Sequence, residues 1–113
     1  MKINYDQRVF RSVSNSDNGE ISAATTFHYH QQDDIVWATY AGGAIRFGTL
    51  VATVDDAGCL EMCYQHVNAR GALMTGRCHS TPTVLSDGRL RLREQWQWTA
   101  GDQSAGESEI EEI

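Results

Sequence analysis

The sequence lacks the features that mark nucleic-acid binding, membrane insertion and secretion. Its 113 residues include one proline, and nine Lys and Arg stand against fifteen Asp and Glu, which gives a net charge of −6. Nucleic-acid binding usually shows as a basic patch or a high pI, so we expect no nucleic-acid partner. No apolar run approaches the roughly 20 residues of a membrane span, and the first residues, MKINYDQRVF, lack the apolar region of a signal peptide. We therefore expect a cytoplasmic protein with no membrane partner.

The three cysteines predict neither a disulfide framework nor a metal site. Cys59 and Cys63 are four residues apart on a predicted strand, so they lie about 13 Å apart, because a strand rises about 3.3 Å per residue. At that separation they can neither bond to each other nor share one zinc ion. The sequence also has no C-x-x-C and no H-x-x-x-H pattern. We expect no metal and no cofactor.

Alternation of apolar and polar residues recurs along the chain, and no window shows helical periodicity. A composition of 41% hydrophobic and 21% charged residues is typical of one globular domain, here residues 1–113. Short connections rich in Gly, Asn and Asp separate the alternating segments, which indicates antiparallel strands. The predicted strands cover residues 7–13, 22–30, 34–40, 45–54, 59–68, 72–81, 89–98 and 104–111.

Three connections share one pattern, which fixes the register of the second half of the chain. They end at Gly58, Gly71 and Gly88, and each fits a type I turn followed by a left-handed glycine that forms a G1 bulge. The turns predict these cross-strand pairs: Val54–Leu60, Ala52–Met62, Leu50–Tyr64, His66–Met74, Tyr64–Gly76, Met62–Cys78, Val84–Leu90, Ser80–Glu94, Cys78–Trp96 and Gly76–Trp98.

All three turns place the even-numbered residues from 48 to 98 on one face, and that face is the apolar one. A slip of one residue would reverse the faces and break this pattern. The stretch RLRLREQWQW, residues 89–98, has one exception to its alternation, Glu94, which therefore points inward. We expect Gly76 to leave room for the indole of Trp98.

The first half of the chain gives a less complete prediction. Its tight turn at Gly42 and Gly43 can switch the inward parity between the third and fourth strands, and the first strand is ambiguous between Val9 and Phe10. His28 and His30 are expected to face solvent. The predicted inward residues are Phe27, Tyr29, Ile35, Trp37 and Thr39.

These patterns predict an all-β fold, a single eight-stranded antiparallel up-and-down barrel. Closure removes the unpaired sheet edges that would otherwise aggregate. The interior of eight strands can be filled by side chains or can hold one small ligand, as in lipocalin-like barrels.

Five segments, VSNSDNGEIS, YAGGAIRFGTL, YQHVNARG, TGRCHS and LREQWQWTAGDQSAGESEIEE, together resemble a small bacterial family. The resemblance runs over nearly the whole chain and implies an avidin-like barrel domain. Many members of that family carry the label N-acetylglutamate synthase. Acetyltransferases usually cradle the pyrophosphate of acetyl-CoA with a Gly-rich loop that opens a helix, and the sequence has no R/Q-x-x-G-x-G/A segment before a helix.

The inward polar residues and the aromatic residues around them form the candidate ligand-binding site. An aromatic cavity with a few placed polar groups is typical of small-molecule sites. No Ser-His-Asp or Cys-His arrangement identifies a catalytic residue. The candidate site residues are Phe27, Trp37, Tyr64, His66, Ser80, Glu94, Trp96 and Trp98.

Two interpretations of Glu94 stay open. As a functional group it would be a ligand anchor or general base with a raised pKa, because burial penalises the charged carboxylate. As a structural group it would be a buried acid satisfied by Ser80, a backbone amide or an arginine. For His66, near the barrel mouth, the two interpretations are a catalytic histidine and a satisfied core histidine.

Two surface features complete the sequence prediction. Arg89, Arg91 and Arg93 form an outward stripe, which is a solvated face or a contact with an acidic partner or with the chain's own acidic end. The polar residues 15–20 are expected near one barrel end, as a rim or lid.

The sequence favours a non-enzymatic small-molecule-binding or structural barrel. The alternatives are N-acetylglutamate synthase activity and self-association, as a homodimer, through the barrel walls.

Overall fold

The computed structural model, which describes residues 3–113, is a closed barrel in which each strand pairs with the next and β8 returns to β1. All neighbouring strands are antiparallel. The predicted all-β, eight-stranded antiparallel barrel is thereby confirmed. The single-domain span 1–113 stays a prediction, since residues 1 and 2 lie outside the described part of the chain. The strands are β1 Val9–Asn15, β2 Thr26–Gln32, β3 Ile35–Gly42, β4 Ile45–Val54, β5 Leu60–Asn68, β6 Leu73–Val84, β7 Leu90–Trp98 and β8 Ala105–Glu112.

The three glycine turns set the register of β4 to β7 as the sequence predicts. Gly58, Gly71 and Gly88 have φ of 85°, 80° and 87°, in the left-handed region that a side chain with a Cβ rarely adopts. Every predicted pair across these hairpins is present. The even-numbered face from 48 to 98 is therefore the inside of the barrel, and Glu94 lies on it.

The predicted inward set of β3 is wrong by one residue. The hairpin between β2 and β3 is a two-residue turn at Asp33 and Asp34 that pairs Gln32 with Ile35. Such a turn joins an odd position to an even one, so the odd residues inside β2 face even residues inside β3. The sequence prediction kept odd numbers inward across this turn. The residues that this prediction assigned to the inside, Ile35, Trp37 and Thr39, lie on the outside. The inward residues of β3 are Val36, Ala38 and Tyr40.

A second expectation is wrong: the Gly42-Gly43 turn does not switch the inward parity. A register shift at this turn pairs Tyr40 with Gly48, and even residues point inward in both β3 and β4.

The inward assignments for β2 hold, and β1 is settled. Phe27 and Tyr29 of β2 are buried, and His28 and His30 lie on the outer wall. The ambiguity in β1 is resolved in favour of Phe10, which is fully buried, while Val9 is half-buried.

The barrel interior divides into two ends of different chemistry. The end where β5 and β7 begin is aliphatic, with Leu60, Leu90 and Leu92 inside. Tyr5 closes it from below: its ring is fully buried and its hydroxyl donates to the carbonyl of Gly58 at 2.5 Å. The opposite end, where β5 and β7 finish, is aromatic and polar, so the residues that can recognise a ligand are gathered there.

Three inward aromatic rings of the barrel each lie over a glycine that is their direct cross-strand partner. The pairs are Tyr40 with Gly48, Tyr64 with Gly76, and Trp96 with Gly106. A Cβ at each glycine would come within 2.3 to 2.4 Å of the ring. Gly76 thus makes room for Tyr64 and not for the indole of Trp98, which corrects the sequence prediction. Rings that cover glycines in this way restore packing on a strand that lacks side chains.

The outward arginine stripe pairs with the chain's own acidic strand. The guanidinium groups of Arg89 and Arg91 lie 3.3 Å and 2.5 Å from the carboxylate of Glu111, and Arg93 lies 3.4 Å from Glu107. Arg91 and, to a smaller extent, Arg89 hold the pKa of the Glu111 carboxyl below its usual range. Of the alternatives for the stripe, the chain's own acidic end is the one the structure shows.

Residues 3–113 contain no helix that is long and apolar enough to cross a membrane. Within the same range, no cluster of three or more His, Cys, Asp or Glu side chains is arranged to hold a metal ion.

Candidate functional site

The aromatic end of the barrel contains a cavity of about 30 Å³, called here the end cavity. It lies between the interior faces of the strands and the loop that joins β1 to β2. Its surface is largely apolar, with one imidazole and two carboxylates, the buried Glu94 and the partly buried Glu20. The lining residues are Asn15, Gly19, Glu20, Ile21, Phe27, Tyr40, Leu50, Met62, Tyr64, His66, Cys78, Glu94, Trp96 and Trp98.

Glu94 projects from the middle of β7 to the floor of the end cavity. The residue is 4% exposed, and its two oxygens accept hydrogen bonds from Ser108 at 3.0 Å and from Ser80 at 3.3 Å. Burial raises the pKa of the Glu94 carboxyl from 4.5 to about 7, and the two serine hydrogen bonds oppose this rise. Desolvation prevails because two neutral hydroxyls replace only part of the hydration that a carboxylate loses.

The groups around Glu94 are neutral at physiological pH. Burial raises the pKa values of Tyr29, Tyr40, Tyr64 and Cys78, and the nearby Glu94 charge raises each of them further. The hydroxyl of Tyr29 is fully buried and has no hydrogen-bond partner among the described residues. When Glu94 is ionised, its carboxylate is therefore surrounded by hydroxyl groups and aromatic rings that carry no charge.

Aromatic rings form the wall above Glu94. The ring centroids of Trp96 and Trp98 are 5.4 Å apart, and Tyr64 meets Trp98 edge to face at 5.9 Å. Trp96 and Tyr64 each have one face against a glycine of the adjacent strand, so the other face is turned to the interior. This arrangement presents π faces to whatever occupies the cavity.

A second polar group lies at the rim, where His66 links the barrel wall to the β1–β2 loop. Its Nε2 is 2.8 Å from Glu20 and its Nδ1 is 3.0 Å from the hydroxyl of Tyr40. Because the Glu20 carboxylate can only accept, Nε2 carries a proton, and in the neutral imidazole Nδ1 accepts from Tyr40. Asn68 donates to the other oxygen of Glu20 at 3.1 Å, and the guanidinium of Arg70 lies 3.7 Å from the same oxygen.

The β1–β2 loop, residues 16–25, covers the mouth of the barrel and is called here the mouth loop. The indole of Trp98 donates to the carbonyl of Asn18 at 3.0 Å, and the Asn18 amide donates to the carbonyl of Ala105 at 3.0 Å. At the end of β1, beside the loop, Asn15 accepts from the indole of Trp96 at 3.3 Å. Together with Glu20, these polar contacts hold the loop over the cavity. The predicted rim or lid over residues 15–20 lies at this mouth.

Most of the site residues predicted from the sequence come together here. Phe27, Tyr64, His66, Glu94, Trp96 and Trp98 line the cavity, and Ser80 touches it through Glu94. Trp37 does not: it lies on the outer wall, 39% exposed, where its indole stacks on His30. The cause is the parity error in β3, which also hid Tyr40, the residue that points inward beside Phe27.

Two further residues of the site were missed. Glu20 lies in a loop, where no alternation predicts direction, although its negative charge among small polar residues is visible in the sequence. Ser108 pairs with Glu94 across β7 and β8, and the turn between those strands lacks the glycine pattern that fixed the other registers.

Comparison with known proteins agrees with this geometry. The model of one family, described as "Avidin-like protein", matches residues 3–113. Neither the curated proteins nor the solved structures include a match. The family match spans all eight strands, the mouth loop and the end cavity, and the chain belongs to the avidin-like protein family.

Proposed function

We propose that the protein is a non-enzymatic carrier or sensor that binds a small molecule in the end cavity. The observation that carries the proposal is the aromatic-walled cavity with the buried carboxylate of Glu94 at its floor. Burying a carboxylate without a cationic partner costs several kcal/mol. A barrel that needed only stability would have an aliphatic side chain there, as at Leu92 and Leu90, the two preceding inward positions of β7. Membership of the avidin-like family supports a small-molecule-binding barrel.

The size of the cavity limits what can enter without movement. A space of about 30 Å³ holds roughly two water molecules, and drug-sized ligands occupy pockets of about 300 Å³ or more. A larger ligand would have to displace the mouth loop, which is held mainly by hydrogen bonds and contributes little to the core. The mouth loop is therefore the proposed entry route.

Native mass spectrometry of the protein purified from its expression host tests the proposal. A retained ligand gives a mass excess that disappears on denaturation, and its value identifies the compound class. Trp98→Phe removes the hydrogen bond to the mouth loop, and it should release the ligand more easily. Trp37→Phe on the outer wall is the matched control and should retain it. A bare protein mass together with no uptake from a metabolite extract would contradict binding.

We propose, second, that the chain forms a homodimer through the outer wall of β3 and β4. The outward residues of β3, and positions 49, 51 and 53 of β4, carry no charge. Ile35, Trp37 and Val51 are 48%, 39% and 53% exposed there. Two molecules with a net charge of −6 repel each other over most of their surface, and this wall lets two copies meet without opposing like charges.

The enzymatic alternative, N-acetylglutamate synthase, separates from binding in a direct assay. Incubation with glutamate and acetyl-CoA at high protein concentration yields N-acetylglutamate and free CoA if the alternative is right. We expect no turnover, and product above the uncatalysed rate that Glu94→Gln abolishes would replace our proposal.

A further inference from the structure

We propose that the end cavity selects small organic ammonium ions, with Glu94 as the counter-charge and the rings of Tyr64, Trp96 and Trp98 as the surrounding walls. This inference rests on the proposed binding function and names its ligand class.

The first support is the unmatched charge of Glu94. Its carboxylate offers about four acceptor positions, and the hydroxyls of Ser80 and Ser108 fill two of them. Within residues 3–113 none of the ion pairs involves Glu94, although eight ion pairs form elsewhere. Open acceptor positions on a buried acid that also lines a cavity fit a ligand that brings N–H donors and a positive charge.

The second support is the chemistry of the walls. Aromatic faces carry a negative quadrupole, and a cation within about 6 Å of a ring centroid is attracted to it. The indole N–H groups of Trp96 and Trp98 are already bonded to Asn15 and to the carbonyl of Asn18, so these two residues have no free donor for an anionic ligand. What they present to the cavity is π surface.

The third support is that the other carboxylate of the cavity, Glu20, already has partners at the rim. The titratable groups that face Glu94 are Tyr29 on β2, Tyr40 on β3, Tyr64 on β5 and Cys78 on β6, and burial keeps each of them neutral. Ser108 faces it from β8. At the rim, Glu20 accepts hydrogen bonds from His66 and Asn68 and lies 3.7 Å from the guanidinium of Arg70.

The pH dependence of binding follows from the same geometry. A carboxyl with a pKa of about 7 is about nine-tenths ionised near pH 8 and only a few per cent ionised near pH 5.5. Because the cation binds the ionised form, its affinity should fall by at least about tenfold between those two pH values. A neutral ligand that accepts a proton from protonated Glu94 would show the opposite trend.

The experiment is a titration of the protein with ethylammonium chloride, followed by the three indole N–H signals in nitrogen–proton NMR spectra. Ethanol is the neutral probe of equal size, and potassium chloride controls for ionic strength. The signals of Trp96 and Trp98 should shift to saturation with ethylammonium and not with ethanol, while Trp37 on the outer wall stays unchanged. In Glu94→Gln the affinity should fall by about tenfold or more, which is the effect of losing a charged hydrogen bond. The matched control, Glu107→Gln, removes an exposed carboxylate of the outer wall and should bind as the wild type does.

Each contrary outcome has a definite meaning. If ethanol binds as well as ethylammonium, or if affinity rises as the pH falls, the cavity binds small molecules and the ammonium class is wrong. If Glu94→Gln is folded and binds ethylammonium unchanged, the assigned counter-charge is wrong. If neither probe shifts the Trp96 and Trp98 signals, this inference fails, and the search for a retained ligand by mass spectrometry then decides the binding function separately. The comparison of probes and pH in the wild type stands even if Glu94→Gln does not fold.

Discussion

Replacing Glu94 by glutamine should change how the stability of the barrel depends on pH. In the unfolded chain the carboxyl ionises near 4.5, and in the folded barrel burial raises its pKa to about 7. The folded state therefore holds a proton that the unfolded state releases between these two values. Stability is highest below the unfolded pKa and is lost as the pH rises toward and through the folded pKa.

The magnitude follows from the difference of about 2.5 between the two pKa values. At about 1.4 kcal/mol per pKa unit, ionised Glu94 costs the folded barrel roughly 3 kcal/mol above pH 7. Glutamine has nearly the same shape and stays neutral. Glu94→Gln should therefore gain about 3 kcal/mol relative to the wild type between pH 4.5 and pH 8, whatever its stability at low pH.

Urea unfolding at several pH values, followed by tryptophan fluorescence, measures this difference. With an m value of about 1–2 kcal/mol/M, the urea midpoints of the two proteins should diverge by roughly 1.5–3 M over the range. Contributions from other titrating groups are common to both proteins and cancel in the difference. Glu107→Gln, at an exposed position, should run nearly parallel to the wild type. Parallel curves for Glu94→Gln and the wild type would refute the argument, because they would mean that the buried carboxyl keeps its ordinary pKa.

Three further outcomes are expected. Gly76→Ala should destabilise the fold by about 1–3 kcal/mol in urea unfolding, because its Cβ would lie 2.3 Å from the Tyr64 ring; a loss that persists when Tyr64 is also changed to leucine would contradict this cause. Glu20→Gln should speed amide hydrogen exchange in the mouth loop and leave the β6 amides unchanged, because it weakens the charged contact with His66; unchanged exchange in the loop would show that other contacts hold it. Val51→Glu should leave only monomers in analytical ultracentrifugation if the outer wall of β3 and β4 joins two copies, and a dimer that survives the change would place the interface elsewhere.

The second half of the barrel was predictable because its turns carry their own geometry. A glycine with positive φ at 58, 71 and 88 allows one bulged hairpin, and that hairpin dictates which residues face each other. That register, together with the apolar character of the even-numbered face, predicts that the site residues of this half point inward: Tyr64, His66, Glu94, Trp96 and Trp98.

The rest depended on information that alternation does not contain. The Asp33-Asp34 turn has no glycine to mark its length. An error of one residue in that length reverses the predicted faces of β3, so the sequence predicts Trp37 inside and Tyr40 outside, the opposite of what the structure shows. Glu20 contacts His66 across 46 positions of sequence, through a loop whose path is set by polar contacts with four strands, β3, β5, β7 and β8. Long-range contacts of this kind have no local signature in the chain.

The three ring-and-glycine pairs make this barrel a scaffold in which interior space can be created by truncating single aromatic side chains. Where a ring lies on a glycine, neither strand supplies any other side chain at that place. Truncating Tyr40, Tyr64 or Trp96 would therefore open a flat slot whose back wall is bare backbone, and a free phenol or indole of matching outline could slide into it. The three slots would sit on alternate hairpins around the same axis. The cavity could then be enlarged one side chain at a time, and the choice of ring to truncate would set its shape.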